Sequence, residues 1–159
     1  MTKASELCEA QETRNSKSLI WQKRYSVPFR SEWFSKTVNG VTTYYNTRDG
    51  VILSQTDGTN TMYFQYESNG TPLGFIWNVT HLYLTNQMGD VISITDTAGA
   101  LVANYEYSAW GKVLTADSSI AQQNPLCYRG YYYDNETGYY YLQSRYYDPD
   151  ICRFINSDN

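Results

Sequence analysis

Cysteine, histidine and proline are scarce in this chain of 159 residues, which has three cysteines, one histidine and four prolines. Cys8, Cys127 and Cys152 are an odd number at wide spacing with no Cys-x-x-Cys pair, and His81 stands alone, so neither a zinc site nor a disulfide scaffold is supported. Cys127 and Cys152 flank the tyrosine-rich stretch described below. A disulfide across it competes there with two ordinary thiols, and the thiols are favoured because free cysteine packs as a small hydrophobe. No Ser/Asp or Cys/Asp constellation lies near His81, which reads as a strand-end residue rather than a catalytic base. Long apolar runs are missing too: none nears the roughly 18 residues a membrane helix needs, and Met1 to Glu12 lacks a basic-then-apolar profile. The expectation is no membrane span and no export signal of its own. Positive charge is short, with 12 Lys+Arg against 16 Asp+Glu and a net charge of −4, which argues against a surface that tracks phosphates and so against nucleic acid as a partner. No Gly-rich loop follows a strand and opens a helix, so nucleotide binding is unsupported and no cofactor is expected.

What the chain does have is aromatic. Aromatic residues make up 16% of it against 18% charged, so its stability leans on rings and β-branched side chains rather than on salt-bridged helices, and the expected class is all-β. Nine of the seventeen tyrosines fall between Asn124 and Pro149. There, two Tyr-dense runs flank Asp134-Asn135-Glu136-Thr137-Gly138, a cluster of turn formers ending on a glycine able to take positive φ, which predicts a β-hairpin. A buried Tyr ring supplies apolar area while its hydroxyl still needs a partner, so the hairpin should pack against more sheet.

Upstream, residues 1–35 are polar, glycine-free and poor in strand alternation, and are expected to form a poorly ordered or loosely docked arm. Leu19-Ile20-Trp21 and Trp33-Phe34 are its candidate docking residues. From Lys36 the chain alternates short runs of Thr, Val, Ile, Tyr or Phe with turns at Asn39-Gly40, Asp49-Gly50, Asp57-Gly58, Asn69-Gly70, Met88-Gly89, Ala98-Gly99 and Trp110-Gly111. Val41–Tyr45, Thr61–Tyr66, Val91–Thr95 and Leu101–Tyr107 read as strands of antiparallel hairpins. In the last of these, Leu101, Ala103, Tyr105 and Tyr107 share one face and Val102, Asn104 and Glu106 the other. Residues 36–115 are thus expected to be hairpin repeats, Ala116 to Asn124 a connecting loop with at most a turn of helix, and 116–159 the tyrosine-rich hairpin with its tail. Asn69-Gly70-Thr71, Asn78-Val79-Thr80 and Asn135-Glu136-Thr137 match the glycosylation sequon but read as turn chemistry.

The stretch from Asn124 to Phe154 resembles the RHS repeat-associated core of the RHS/YD-repeat family. The residues that carry the resemblance are Asn124, Pro125, Tyr128, Arg129, Gly130, Tyr132, Asp134, Glu136, Thr137, Gly138, Tyr140, Tyr141, Leu142, Arg145, Tyr146, Tyr147, Asp148, Pro149, Arg153 and Phe154. Gly89, Asp90 and Asp96, then Gly99, Tyr105, Tyr107, Trp110 and Gly111, resemble the preceding repeats. The likeness spans about Lys36 to Asn159. Cys152 departs from it, standing where the family has Gly before Arg-Phe. A non-glycine at positive φ costs about 1 kcal/mol there.

The resemblance implies antiparallel YD-repeat hairpins in an open, curved or spiralling sheet, a fragment of a shell that in longer members surrounds a C-terminal cargo, often a toxin. Its implied function is non-enzymatic packing and assembly, with other shell segments or a second copy as partners, in a bacterial secreted or cell-surface system. A surface carbohydrate-binding or adhesive module is the alternative. An aspartyl autoprotease is the third: family cores commonly continue into a segment that supplies paired aspartates able to share a proton. Only Asp148, Asp150 and Asp158 remain for it here, the downstream part of the pattern being absent, so no catalytic residue is expected. Arg129, Arg145 and Arg153 are expected to stack on rings and pair with Asp134, Asp148 or Glu136, in preference to binding a ligand.

Overall fold

The structure, a computed structural model, describes residues 7–8, 20–25, 31–142 and 145–155, with side chains from Phe34 onward. The chain forms two compact units, Met1–Phe64 and Gln65–Asn159.

In the first unit, β1 (Leu7–Cys8), β2 (Ile20–Tyr25), β3 (Ser31–Val38), β4 (Val41–Arg48), β5 (Val51–Thr56) and β6 (Thr61–Tyr66), which runs across the boundary, pair antiparallel in chain order. The β3–β4 pair is the longest, eight residues from Ser31↔Arg48 to Val38↔Val41. Two-residue turns close this hairpin and the next, with Asn39 and Gly40 at φ 51° and 82° and Asp49 and Gly50 at 50° and 82°. Two successive positive φ values give the turn twist that matches paired strands, which is why Asn-Gly and Asp-Gly occur here. The buried side of β4 and β5 carries Tyr45, Thr47, Ile52 and Ser54, with Tyr45 stacked on Phe34 at 4.7 Å. Within residues 1–35, expected to form a poorly ordered or loosely docked arm, the described residues are strand, paired through β3 to β4. Trp21, Tyr25 and Trp33 are good strand formers, and the eight-pair register of β3 outweighs the charged residues between them. The rest of that arm lies outside the described residues.

The second unit holds β7 (Pro72–Trp77), β8 (Val79–Thr85), β9 (Val91–Thr95), β10 (Leu101–Tyr107) and β11 (Val113–Ala116), again antiparallel in chain order, with no pairing among the described residues that closes the sheet on itself. A single residue, Asn78 at φ 61°, links β7 to β8. Gly74 faces Leu82 so closely that a Cβ there would sit 2.1 Å from the His81 carbonyl oxygen. Phe75, His81, Tyr83, Ile94, Ala103 and Tyr105 are buried, while Ile76, Leu82, Leu84 and Ile92 are exposed. This is the alternation of a sheet with one covered face. A short helix, α1 (Ser119–Gln123), follows, capped by Ser118, whose Oγ accepts from Ala121 N–H at 3.1 Å. The chain ends in a second antiparallel sheet of β12 (Tyr132–Asp134), β13 (Tyr139–Leu142), β14 (Arg145–Asp148) and β15 (Arg153–Phe154).

One turn is repeated in this unit. Asn86 N–H donates to Asp90 O and Gly89 N–H to Asn86 O; Asp96 with Ala100 and Gly99, Ser108 with Lys112 and Gly111, and Glu67 with Thr71 and Gly70 make the same two bonds. In three of the four the first side chain fills the loop: Asn86 Oδ1 accepts from Met88 and Asp90 N–H, Asp96 Oδ1 from Ala98 and Ala100, and Ser108 Oγ from Trp110 and Lys112. A polar side chain three residues before the glycine thus satisfies donors that the ladder leaves open.

Candidate functional site

The residues of the tyrosine-rich motif converge on the sheet that precedes it in the second unit. Asn124, 2% exposed, is the first anchor. Its Oδ1 accepts from the Tyr83 hydroxyl at 2.5 Å, and its Nδ2 donates to the Tyr105 hydroxyl at 3.1 Å and to Leu126 O at 2.8 Å. Tyr105 donates in turn to Ala121 O at 2.7 Å. Each polar atom of this buried cluster has a partner, so it orients the chain instead of costing stability. Burial holds the phenols of Tyr83, Tyr105, Tyr107 and Tyr140 well above the ordinary tyrosine value, and pushes the nearby Cys127 thiol up to about 12. A thiol held neutral in this way is not a nucleophile.

The second anchor is Asp90, 6% exposed. Its Oδ1 accepts from Arg129 backbone N–H at 2.9 Å, its Oδ2 accepts from Asn86 Nδ2 at 2.6 Å, and the Arg129 Nε lies 3.6 Å away. Arg129 takes positive φ, 57°, to make these contacts, and Gly130 follows at 68° where a Cβ would meet Pro72 at 2.9 Å. The adjacent backbone is stitched as well, with Val91 N–H donating to Cys127 O and Tyr107 Oη to Val91 O.

The third anchor is a grip on the turn Ser108–Lys112. Three consecutive carbonyls each accept from a motif tyrosine: Ala109 O from Tyr128 at 3.1 Å, Trp110 O from Tyr147 at 3.0 Å and Gly111 O from Tyr140 at 2.8 Å. Gly111 lies so close to the Tyr128 ring that a Cβ would meet it at 2.5 Å. Lys112 Nζ adds an ion pair to Asp150 at 2.8 Å. Trp110 itself is 62% exposed, because its carbonyl and not its ring is what the motif holds.

The other motif residues build the second sheet. Pro125 O accepts from Tyr133 N–H at 2.7 Å, and Tyr132 faces Tyr141 across β12 and β13. Asp134, 2% exposed, turns the hairpin: its Oδ1 accepts from Glu136 N–H, and its carbonyl accepts from Gly138 N–H and the Thr137 hydroxyl. Tyr141 and Tyr146 pack their rings at 5.4 Å, Leu142 faces Arg145, and Arg145 lies over Phe154 at 4.1 Å. Asp148 Oδ1 caps the next turn through Asp150 N–H, beside the buried Pro149, and faces Arg153 across β14 and β15. Among upstream residues, Gly89, Gly99 and Gly111 take the positive φ of the repeated turn, Asp96 fills one of them, and Tyr105 and Tyr107 line the covered face.

Two expectations are corrected. Arg129 lies over the Tyr128 ring at 5.4 Å, but its carboxylate partner is Asp90, thirty-nine residues back, and not Asp134, Asp148 or Glu136 as expected, because the motif crosses the β8–β9 turn before its own hairpin begins. His81 is not a strand-end residue: it lies within β8, 5% exposed and stacked on Phe75 at 4.7 Å, since it alternates inward with Tyr83. Asp148 and Asp150 serve different partners, the turn backbone and Lys112, and Asp158 lies outside the described residues. Cys127 is buried and Cys152 exposed, both as free thiols. Among the described residues no three His, Cys, Asp or Glu side chains gather as metal ligands.

Known proteins share this sequence and this fold. The family described as Teneurin YD-shell matches residues 39–159. The chain belongs to the YD-shell family. The tRNA3(Ser)-specific nuclease WapA of Bacillus spizizenii is 39% identical over 140 residues, covering 84% of this chain and 6% of that protein. The Double-stranded DNA deaminase toxin A of Burkholderia cenocepacia is 39% identical over 77 residues, 46% of this chain and 5% of that one. The fold is that of TcdB2-TccC3, with TM-score 0.57 and 18% identity over 88% of this chain and 7% of the other, and of the Photorhabdus luminescens Tc holotoxin pore, with TM-score 0.57 and 16% identity over 89% and 7%. The chain therefore spans well under a tenth of the length of these relatives.

The motif residues are legible in the sequence, but their partners in the YD-shell sheet are not legible with them: Asn86, Ser108 and the carbonyls of Ala109, Trp110 and Gly111. Asn86 and Ser108 had a signal, the polar residue recurring three positions before each turn glycine. The carbonyls had none, because a backbone acceptor leaves no mark in sequence.

Proposed function

We propose that this chain is a non-enzymatic wall segment of an encapsulating YD-repeat shell, acting through packing and assembly, with further shell segments or a second copy as partners and, in a full-length protein, a toxin as cargo. Residues 36–115 supply hairpin repeats, and residues 116–159 supply the motif that ties the last repeats together. The observation that carries this reading is the grip on Ser108–Lys112, where three tyrosine hydroxyls are turned onto carbonyls of this same chain. Hydroxyls used in this way hold a wall together, and an adhesive surface would need them facing outward. Acid chemistry between Asp148 and Asp150 has no support either, since a shared proton requires two carboxylates turned to each other. Open sheets carry unpaired edge backbone, which suits continuation by neighbouring wall.

The test is a replacement. This chain would be placed in the Bacillus spizizenii relative in exchange for the 140 matched residues, and the product compared with a deletion of that stretch. The expected result is a protease-resistant body like that of the intact relative, with the deletion degraded. A replacement digested as fast as the deletion, although the chain folds on its own, would overturn the proposal.

A further inference from the structure

Two Asn-Gly pairs occupy turn tips, one in each unit, and their surroundings differ. A Cβ at Gly40 or Gly70 would meet nothing within 4 Å, so both glycines are equally open to approach. Asn69 is held: its Oδ1 accepts from Thr71 N–H at 2.8 Å, its Nδ2 donates to Glu67 Oε2 at 3.0 Å, and Gly70 N–H donates to Glu67 O at 2.9 Å. Asn39, by contrast, has no side-chain hydrogen bond to any described residue, Gly40 N–H has no acceptor among them, and both residues are exposed.

We propose that Asn39-Gly40 is a site of spontaneous covalent modification, and that Asn69-Gly70 is the same dipeptide shielded by its turn. The Gly40 nitrogen attacks the side-chain carbonyl carbon of Asn39. A C–N bond forms, the bond to the amide nitrogen breaks, and ammonia leaves with the proton that Gly40 gives up. Water then opens the resulting five-membered imide at either carbonyl, giving aspartate or isoaspartate at position 39. At Asn69 both steps of the first stage are opposed, because the nucleophilic N–H and the leaving amide are each engaged by Glu67. Ring closure also needs the Asn39 backbone to leave its left-handed conformation at φ 51°, so the folded turn reacts more slowly than free chain. The consequence falls on β3–β4. Isoaspartate carries the backbone through the former side chain and adds an atom to a two-residue turn, which sets the register of all eight pairs of that hairpin.

The experiment incubates the full chain in mildly alkaline buffer, folded and in denaturant, and follows both positions by peptide mass and isoaspartate detection. In denaturant the two sites should convert at similar rates. In the folded chain Asn39 should convert several-fold faster than Asn69, and Glu67→Ala should raise the rate at Asn69 towards that at Asn39. Equal rates in the folded chain, faster conversion at Asn69, or no conversion at Asn39 over a period in which the denatured chain reacts at both, would each overturn the proposal.

Discussion

The backbone N–H of Arg129 lies 2.9 Å from Oδ1 of Asp90, a carboxylate only 6% exposed, so a residue of the tyrosine-rich motif closes onto the turn between β8 and β9. Asp90→Ala would leave that N–H and the Asn86 amide without their acceptor. A loss of about 1.5–3 kcal/mol is expected, the range for hydrogen bonds to a charged group. Urea unfolding of the full chain measures it, and Asp90→Asn, which keeps an acceptor oxygen, should lose less.

Asn124 needs both ends of its amide. Asn124→Asp keeps the acceptor for Tyr83 but loses the donor to Tyr105 and Leu126 O, and it places a charge where 2% of the residue meets solvent. The variant should be destabilised at neutral pH by several kcal/mol, as for an uncompensated buried charge. Acidification that protonates the introduced carboxylate should recover part of the loss, readable as a rise in melting temperature relative to the parent.

Cys152 occupies φ 57° just before Arg153 and Phe154. Left-handed backbone is costly for a side chain with a Cβ and free for glycine, and the residue is exposed, so little packing is lost. Cys152→Gly should therefore stabilise the chain by up to about 1 kcal/mol, less what glycine adds to the freedom of the unfolded state. Chemical denaturation of the two proteins under reducing conditions decides the sign.

His81 makes the fold acid-sensitive. Burial beside Phe75 lowers its affinity for a proton, the charge of Asp96 opposes this weakly, and among the described residues Nδ1 has no hydrogen-bond partner. Its folded pKa is depressed, so below the ordinary histidine value of about 6.5 the unfolded chain takes up a proton that the folded chain refuses. That contribution to stability is present above about 6.5 and is lost as pH falls through the folded pKa. Melting temperature measured from pH 7.5 to 5 should fall less steeply in His81→Phe than in the parent.

Much of this fold was legible in the sequence, and the gaps have identifiable causes. β9 and β10 match the alternating runs that announced them, and β4 extends its run by three residues, because each begins beside an Asn-Gly, Asp-Gly or similar turn and alternates with period two. The hairpin of β12 and β13 followed from Asp134 through Gly138 for the same reason. β7 and β8 were not read, since Pro72 and Gly74 weaken the strand pattern and a lone Asn78 replaces the usual turn pair. Gly74 is there because the His81 carbonyl leaves no room for a Cβ, a constraint imposed by the partner strand. The motif residues were legible through resemblance, but what they grip was not: Asp90 lies thirty-nine residues from Arg129, and Tyr140 holds a peptide carbonyl twenty-nine residues away. Long-range partners of this kind are decided by sheet packing and by no local pattern.

That the tyrosines of the motif act as fasteners within the wall is tested most directly at Tyr140, which is fully buried and donates to Gly111 O at 2.8 Å. Tyr140→Phe removes one oxygen and leaves the ring in place. Equilibrium urea unfolding should show a loss of about 1–2 kcal/mol, the cost of a buried acceptor left without its donor, with the near-UV circular dichroism of the folded protein retained. Unchanged stability in the variant would contradict the account.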